Sequence, residues 1–160
     1  ETGNNMKLEN FADKQPTLKI EEYFLGKTTA SGLFIDRLGK VRRQFTVEME
    51  GIQQEDSFIL NETFLYDDGE EEFRRWEIKK TGEKTYEGTS EDIKGIALGE
   101  RSGNAINWHY TLKLKYGDGI MNVKFDDWLI MQDDKNVFNK ATMKKFGIRL
   151  GDVYKFFTKQ

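Results

Sequence analysis

Three charged residues stand in this chain where a strand pattern calls for apolar ones. Arg43 is in phase with Val41, Phe45, Val47 and Met49; Glu62 with Phe58, Leu60, Phe64 and Tyr66; Asp127 with Met121, Val123, Phe125, Leu129 and Met131. An ion left unpaired in an apolar interior costs several kcal/mol, so each of the three needs a partner. They can pair with one another or sit at a wet rim. Alternatively they orient the polar head of a ligand whose apolar part lies against Phe45, Phe64, Trp76, Trp108 and Tyr110, since small-molecule sites are mostly apolar with a few fixed polar groups. Arg43, Phe45, Glu62, Phe64, Trp76, Trp108, Tyr110 and Asp127 are therefore the candidate ligand-binding residues, with the three charges marking the cavity end.

Catalytic arrangements are harder to assemble. Asp126 and Asp127 are adjacent on a strand and point to opposite faces, so they cannot flank one scissile bond. Glu62 with Asp127 is the remaining acid/base couple, available if their strands meet across the interior. His109, the single histidine, falls between Trp108 and Tyr110 on the polar side and is expected in solvent, which opposes a haem or metal ligand and a Ser-His-Asp triad alike. The acidic run 67–72 lacks the spacing of a calcium loop and reads as a hairpin tip. With no cysteine there is no thiolate nucleophile or zinc cage. The residues thus predict no catalytic set, no metal and no cofactor.

The elements that must position these side chains are strands. From Ile106 to Lys115 apolar or aromatic residues alternate strictly with polar ones, the period of a half-buried strand. Similar runs cover residues 30–37, 40–50, 57–66, 72–80, 121–132 and 153–157, with shorter ones at 85–89, 95–99 and 137–142 and a break at 144–151. Asp67-Asp68-Gly69-Glu70 and Tyr116-Gly117-Asp118-Gly119 supply turns, because Gly and Asp tolerate positive φ. Residues 18–25 place Ile20, Tyr23 and Phe24 at helical spacing before Gly26, a short helix able to plug one end of a barrel. Residues 1–17 read as a polar N-terminal tether, and 18–160 as one domain, a size that buries a core without staples. Long strands joined by short turns favour an all-β, up-and-down antiparallel barrel of about nine or ten strands, which also removes exposed edges.

Four segments add a family resemblance. Phe34-Ile35-Asp36-Arg37-Leu38-Gly39-Lys40-Val41, Tyr66-Asp67-Asp68-Gly69-Glu70, Phe125-Asp126-Asp127-Trp128 and Met143-Lys144-Lys145-Phe146-Gly147-Ile148-Arg149-Leu150-Gly151 resemble, in that order, a bacterial family known as domain of unknown function 3833. The resemblance implies a lipocalin-like (calycin-type) barrel, and a cell-envelope protein on the periplasmic side, lipid-anchored to the outer membrane through a cysteine. This chain has no such cysteine, and it has Gly32-Leu33-Phe34 where true lipocalins carry Gly-x-Trp. The family brings no catalytic residue.

Charge and hydropathy limit the partners. A net charge of −3 offers no general attraction to phosphate backbones, so nucleic acid is not expected. No apolar stretch reaches the ~20 residues of a spanning helix. The chain opens Glu1-Thr2-Gly3, which leaves room for a leader removed upstream. From residue 136 onward lysines and arginines interleave with phenylalanines, a pattern that fits a face near anionic lipid as well as an ordinary solvated sheet. The leading expectation is a non-catalytic envelope barrel that binds or carries a small apolar, amphipathic or lipid-like ligand. Its rivals are an envelope interaction module with a solid barrel and a small barrel enzyme acting on a hydrophobic substrate through Glu62 and Asp127.

Overall fold

A computed structural model describes residues 5–160. Ten antiparallel strands close on themselves in the order β1-β10-β9-β8-β7-β6-β5-β4-β3-β2. They are β1 Gly26–Asp36, β2 Val41–Gln53, β3 Phe58–Tyr66, β4 Glu71–Lys80, β5 Thr85–Thr89, β6 Ala97–Ser102, β7 Ala105–Tyr116, β8 Gly119–Met131, β9 Asn136–Lys145 and β10 Ile148–Lys159. Period-two patterning places Val47, Met49, Phe58, Leu60, Phe64, Trp108, Leu129, Val137 and Phe157 in one interior core. Polar neighbours such as His109, Lys113 and Lys115 face solvent. A one-residue slip would turn every one of these side chains over, so burial of one face is what holds the register.

One end of the barrel is stoppered. The helix α1 is short, Ile20–Tyr23, but it delivers Leu18, Ile20, Tyr23 and Phe24 into the core at 0–3% exposure. Phe24 meets Phe157 and Tyr23 edge-on at ring distances of 5.5 and 4.9 Å. Gly51 is what lets the helix seat: a Cβ there would fall 1.8 Å from the Phe24 carbonyl oxygen.

Two segments differ from the sequence expectation. The break at 144–151 is a tight hairpin: β9 runs to Lys145 and β10 starts at Ile148. Phe146 and Gly147 turn the chain with φ of 53° and 74°, positive at both positions as a type I′ turn requires. Phe-Gly hides this signal because a phenylalanine is a poor left-handed residue. The tether, in turn, is not loose where the structure describes it; residues 1–4 lie outside the described residues. A single 3-10 turn, Leu8–Phe11, sets Phe11 against Trp128 at 5.7 Å, and Leu18 donates its N–H to the Gly103 carbonyl. That cover explains why Asn107 and Trp128, which point outward, are buried.

The wall is weakest between β4 and β7. β5 pairs with β4 only at residues 77–80, and β6 pairs with β7 only up to His109. Beyond these the loop 90–96 takes the place of a strand. Ile93 bridges Leu112, and Lys94 and Lys113 donate backbone N–H groups to Thr111 and Asp92. On the β4 side the loop is held by a side chain, Arg74, whose Nε donates to Asp92 at 2.9 Å.

Candidate functional site

The inward residues of β3, β4, β7, β8, β9 and β10 form a polar belt halfway along an otherwise apolar interior. Opposite Glu62 on β3 the register places Arg74 on β4; their nearest charged atoms are 3.7 Å apart and both side chains are largely buried. Across the barrel, Tyr110 on β7 donates its hydroxyl to Asp127 Oδ2 at 2.7 Å. Asn139 on β9 donates to Asp127 Oδ1 and to the Trp128 carbonyl. Lys155 on β10 extends into the same layer, its Nζ 5.7 Å from the Phe64 ring centre and 5.5 Å from that of Phe157.

Burial controls the protonation of this belt. It raises the Asp127 carboxyl above its ordinary value; the Lys155 charge and the bonds from Tyr110 and Asn139 pull the other way without cancelling it. Burial, reinforced by Asp127, drives the Tyr110 hydroxyl well up, so it remains a donor. For Arg74, burial opposes the charge, but Glu62 and Asp92 outweigh it and its pKa is raised. Among the described residues, two buried acceptors in the belt have no donor at hydrogen-bond distance: Asn139 Oδ1, and Glu62 Oε1, which faces the Arg74 guanidinium at 3.7 Å. Such atoms are uncommon in native interiors.

The belt separates two chambers that share Arg74, Tyr110, Asp127 and Lys155. The one toward α1 holds about 70 Å³, walled by Phe24, Leu60, Trp76, Trp108, Leu129 and Phe157. The one toward the hairpin tips holds about 190 Å³, walled by Phe45, Phe64, Leu112, Phe125, Met143 and Val153. Trp76 and Trp108 fit because Gly88 and Gly99 lie beneath them: a Cβ at Gly99 would stand 2.9 Å from the Trp108 ring.

All eight sequence candidates line one chamber or the other, but Arg43 does not join Glu62 and Asp127. Its guanidinium sits at the rim, 2.8 Å from Glu70 and 3.2 Å from Asp68, stacked 3.6 Å from the centre of Tyr66. Its partners come from the acidic hairpin tip, which explains an arginine in phase with a greasy face. Glu62 and Asp127 are likewise held by different partners rather than by each other. Arg74 and Asn139 escaped the sequence reading, and Lys155, counted there with the basic residues of an outer or lipid-facing surface, turns inward instead. The signal was present, since Arg74 is two residues before Trp76, Asn139 two after Val137 and Lys155 two before Phe157. His109 faces solvent, 3.7 Å from Asp126. Among the described residues no group of three or more His, Cys, Asp or Glu is placed to hold a metal.

The barrel has solved relatives in shape. An S-type phycobiliprotein lyase from Guillardia theta superposes with a TM-score of 0.66 at 8% identity, covering 98% of both chains. Rv2717c from M. tuberculosis superposes with a TM-score of 0.64 at 13% identity, covering 92% of this chain and 99% of the other. At these identities the likeness is one of fold, the lipocalin-like calycin barrel. No curated protein matches the sequence. The model of the family described as protein of unknown function (DUF3833) matches residues 2–159, essentially the whole barrel with its N-terminal cover, and the chain belongs to that family.

Proposed function

We propose that this protein is a non-catalytic, lipocalin-like binding protein of the bacterial cell envelope that holds a small amphipathic molecule inside the barrel. The observation that carries the reading is the buried polar belt. Two acceptors without donors and an interior ammonium lie between two apolar chambers, ready to meet a ligand's polar group while its chain lies along the barrel axis. Both chambers are smaller than the ~300 Å³ typical of drug-sized sites, so the ligand is slender, such as a single acyl chain with a hydroxyl or carboxyl head. Glu62 is tied to Arg74, and Asp127 accepts from Tyr110 and Asn139, which favours binding over proton transfer. The envelope assignment is supported by the family resemblance and is tested by fractionating cells that express the full gene.

Trp76 and Trp108 report on the chamber directly. Titration with decanoic acid, decanol and decane is expected to change their emission for the first two and to raise the melting temperature. A ligand at 100 times its dissociation constant adds about 2.7 kcal/mol. No emission change with any chain, together with no small molecule on native mass spectrometry of protein isolated from its host, would overturn the reading. The about 70 Å³ of the inner chamber favours the second reading, a solid barrel with a working outer surface, which is the reading that remains in that event.

A further inference from the structure

The open end of the barrel carries an uneven crown. Four hairpins turn there, and the closure order makes the β1–β2, β9–β10 and β7–β8 tips consecutive, with the β3–β4 tip completing the ring between the β1–β2 tip and the β5–β6 loop. The three consecutive tips expose large apolar side chains: Leu38 at 82%, Phe146 at 88%, Ile148 at 59%, Tyr116 at 71% and Ile120 at 68%. Over residues 36–42, 113–120 and 144–152 they carry eight lysines and arginines against three acids. Of those eight, among the described residues, only Arg42 and Arg149 have a carboxylate within 4 Å. The fourth tip, residues 67–72, has five acids and no cation.

Phe146 is the most telling of these residues. It is exposed and held at φ 53°, a region where a bulky residue is strained. Asparagine would suit the turn better in both conformation and solubility. The ring's contact is with the neighbouring Lys145 Nζ, 4.7 Å from its centre at the same exposed turn, so the fold gains little from it. We propose that the three apolar and basic tips dock the open end of the barrel onto a membrane surface rich in anionic lipid, with Phe146, Leu38 and Ile120 entering the interface and the lysines and arginines meeting the headgroups. Apolar tips ringed by cations match the two attractions that hold peripheral proteins at such surfaces, burial and charge. The acidic fourth tip is repelled, which tilts the barrel so that the mouth lies at the headgroup level. Docking does not depend on the belt binding a ligand.

Co-sedimentation of the 160-residue chain with vesicles of phosphatidylcholine alone, and of phosphatidylcholine and phosphatidylglycerol at two to one, tests this. The chain is expected to sediment with the mixed vesicles, not with the neutral ones, and to come off as salt screens the attraction. Phe146→Asn is expected to weaken association about tenfold while raising the melting temperature, which separates lost docking from lost folding. Lys144→Glu with Lys40→Glu is expected to abolish the preference for phosphatidylglycerol. Phe73→Asn removes another exposed ring, on β4 and 65% exposed, beside the acidic tip, and is expected to change nothing. Failure of the unaltered chain to sediment with either vesicle overturns the proposal, as does equal binding by Phe146→Asn or an equal loss with Phe73→Asn. None of these results bears on Trp76 emission, so a failed docking surface and a failed ligand site are told apart.

Discussion

The two ends of this barrel use the same kind of side chain in opposite ways. At the closed end Leu18, Ile20 and Phe24 leave water almost completely, and the wall gives up a side chain at Gly51 to admit them. At the open end Leu38, Tyr116, Ile120 and Phe146 stay in water, the last on a turn that asparagine would suit better. Apolar surface that is buried stabilises the fold by roughly 25 cal/mol per Å²; apolar surface left on a rim does not. The contrast teaches that burial at the plug stabilises the fold while the apolar side chains of the mouth do not, with the polar belt between them.

Substitutions should therefore differ in effect from one end to the other. Phe24→Ala is expected to be the most damaging, at about 4 kcal/mol by urea unfolding, because it empties a packed aromatic site in the plug. A loss below about 1 kcal/mol would show the helix to be a removable cover. Arg74→Met comes next, at about 3 kcal/mol, because it strands Glu62 in the interior and releases Asp92. Since Arg74 also fastens the loop 90–96 across the β4–β7 gap, hydrogen exchange in that loop should quicken while the β1–β2 pair stays protected.

Asp127→Asn should have a smaller effect, of opposite sign at neutral pH. The folded carboxyl has a raised pKa, so the native state binds a proton more tightly than the unfolded chain. Its contribution is greatest in acid and is lost as pH rises through the folded value. The variant has no such titration, and its amide can accept from Asn139 through the carbonyl oxygen while its NH2 donates to the Tyr110 hydroxyl oxygen. We expect it to be more stable than the parent at pH 7, with the gap closing as pH falls through the folded value toward the ordinary carboxylate range. A gap that widens in acid would reverse this assignment. Smallest of all, Phe146→Asn at the open end should stabilise by about 0.5 to 1 kcal/mol by relieving the left-handed ring, measured by thermal unfolding; destabilisation would mean that the ring packs on something.

Much of the architecture was legible in one dimension because a sheet with one buried face writes its period into the chain. Trp108 and His109 face opposite ways for that reason alone, and so do Phe125 and Asp126. The 146–147 turn was not legible, since Phe-Gly lacks the Asn or Asp that normally marks positive φ. Nor was the packing of residues 8–17, where a single 3-10 turn is too short to carry a periodic signal and its anchor, Phe11 on Trp128, is long-range. In the site, charges that interrupt an apolar run were visible at Glu62 and Asp127. Arg74 and Lys155 obey the same alternation but lie in runs so rich in charge that their inward phase did not stand out.

By itself the sequence determined which residues could face inward, because alternation is local and a strand has only two sides. It determined the plug, the turn-rich meander and the family membership. Only the tertiary structure decided which inward charges meet. Pairing depends on strand register and on the angle around the barrel, and these placed Arg43 with the acidic tip, Arg74 with Glu62, and Asp127 with Tyr110 and Asn139. The same closure gathered three distant turns into one apolar, cationic rim, a grouping that no interval along the chain could express.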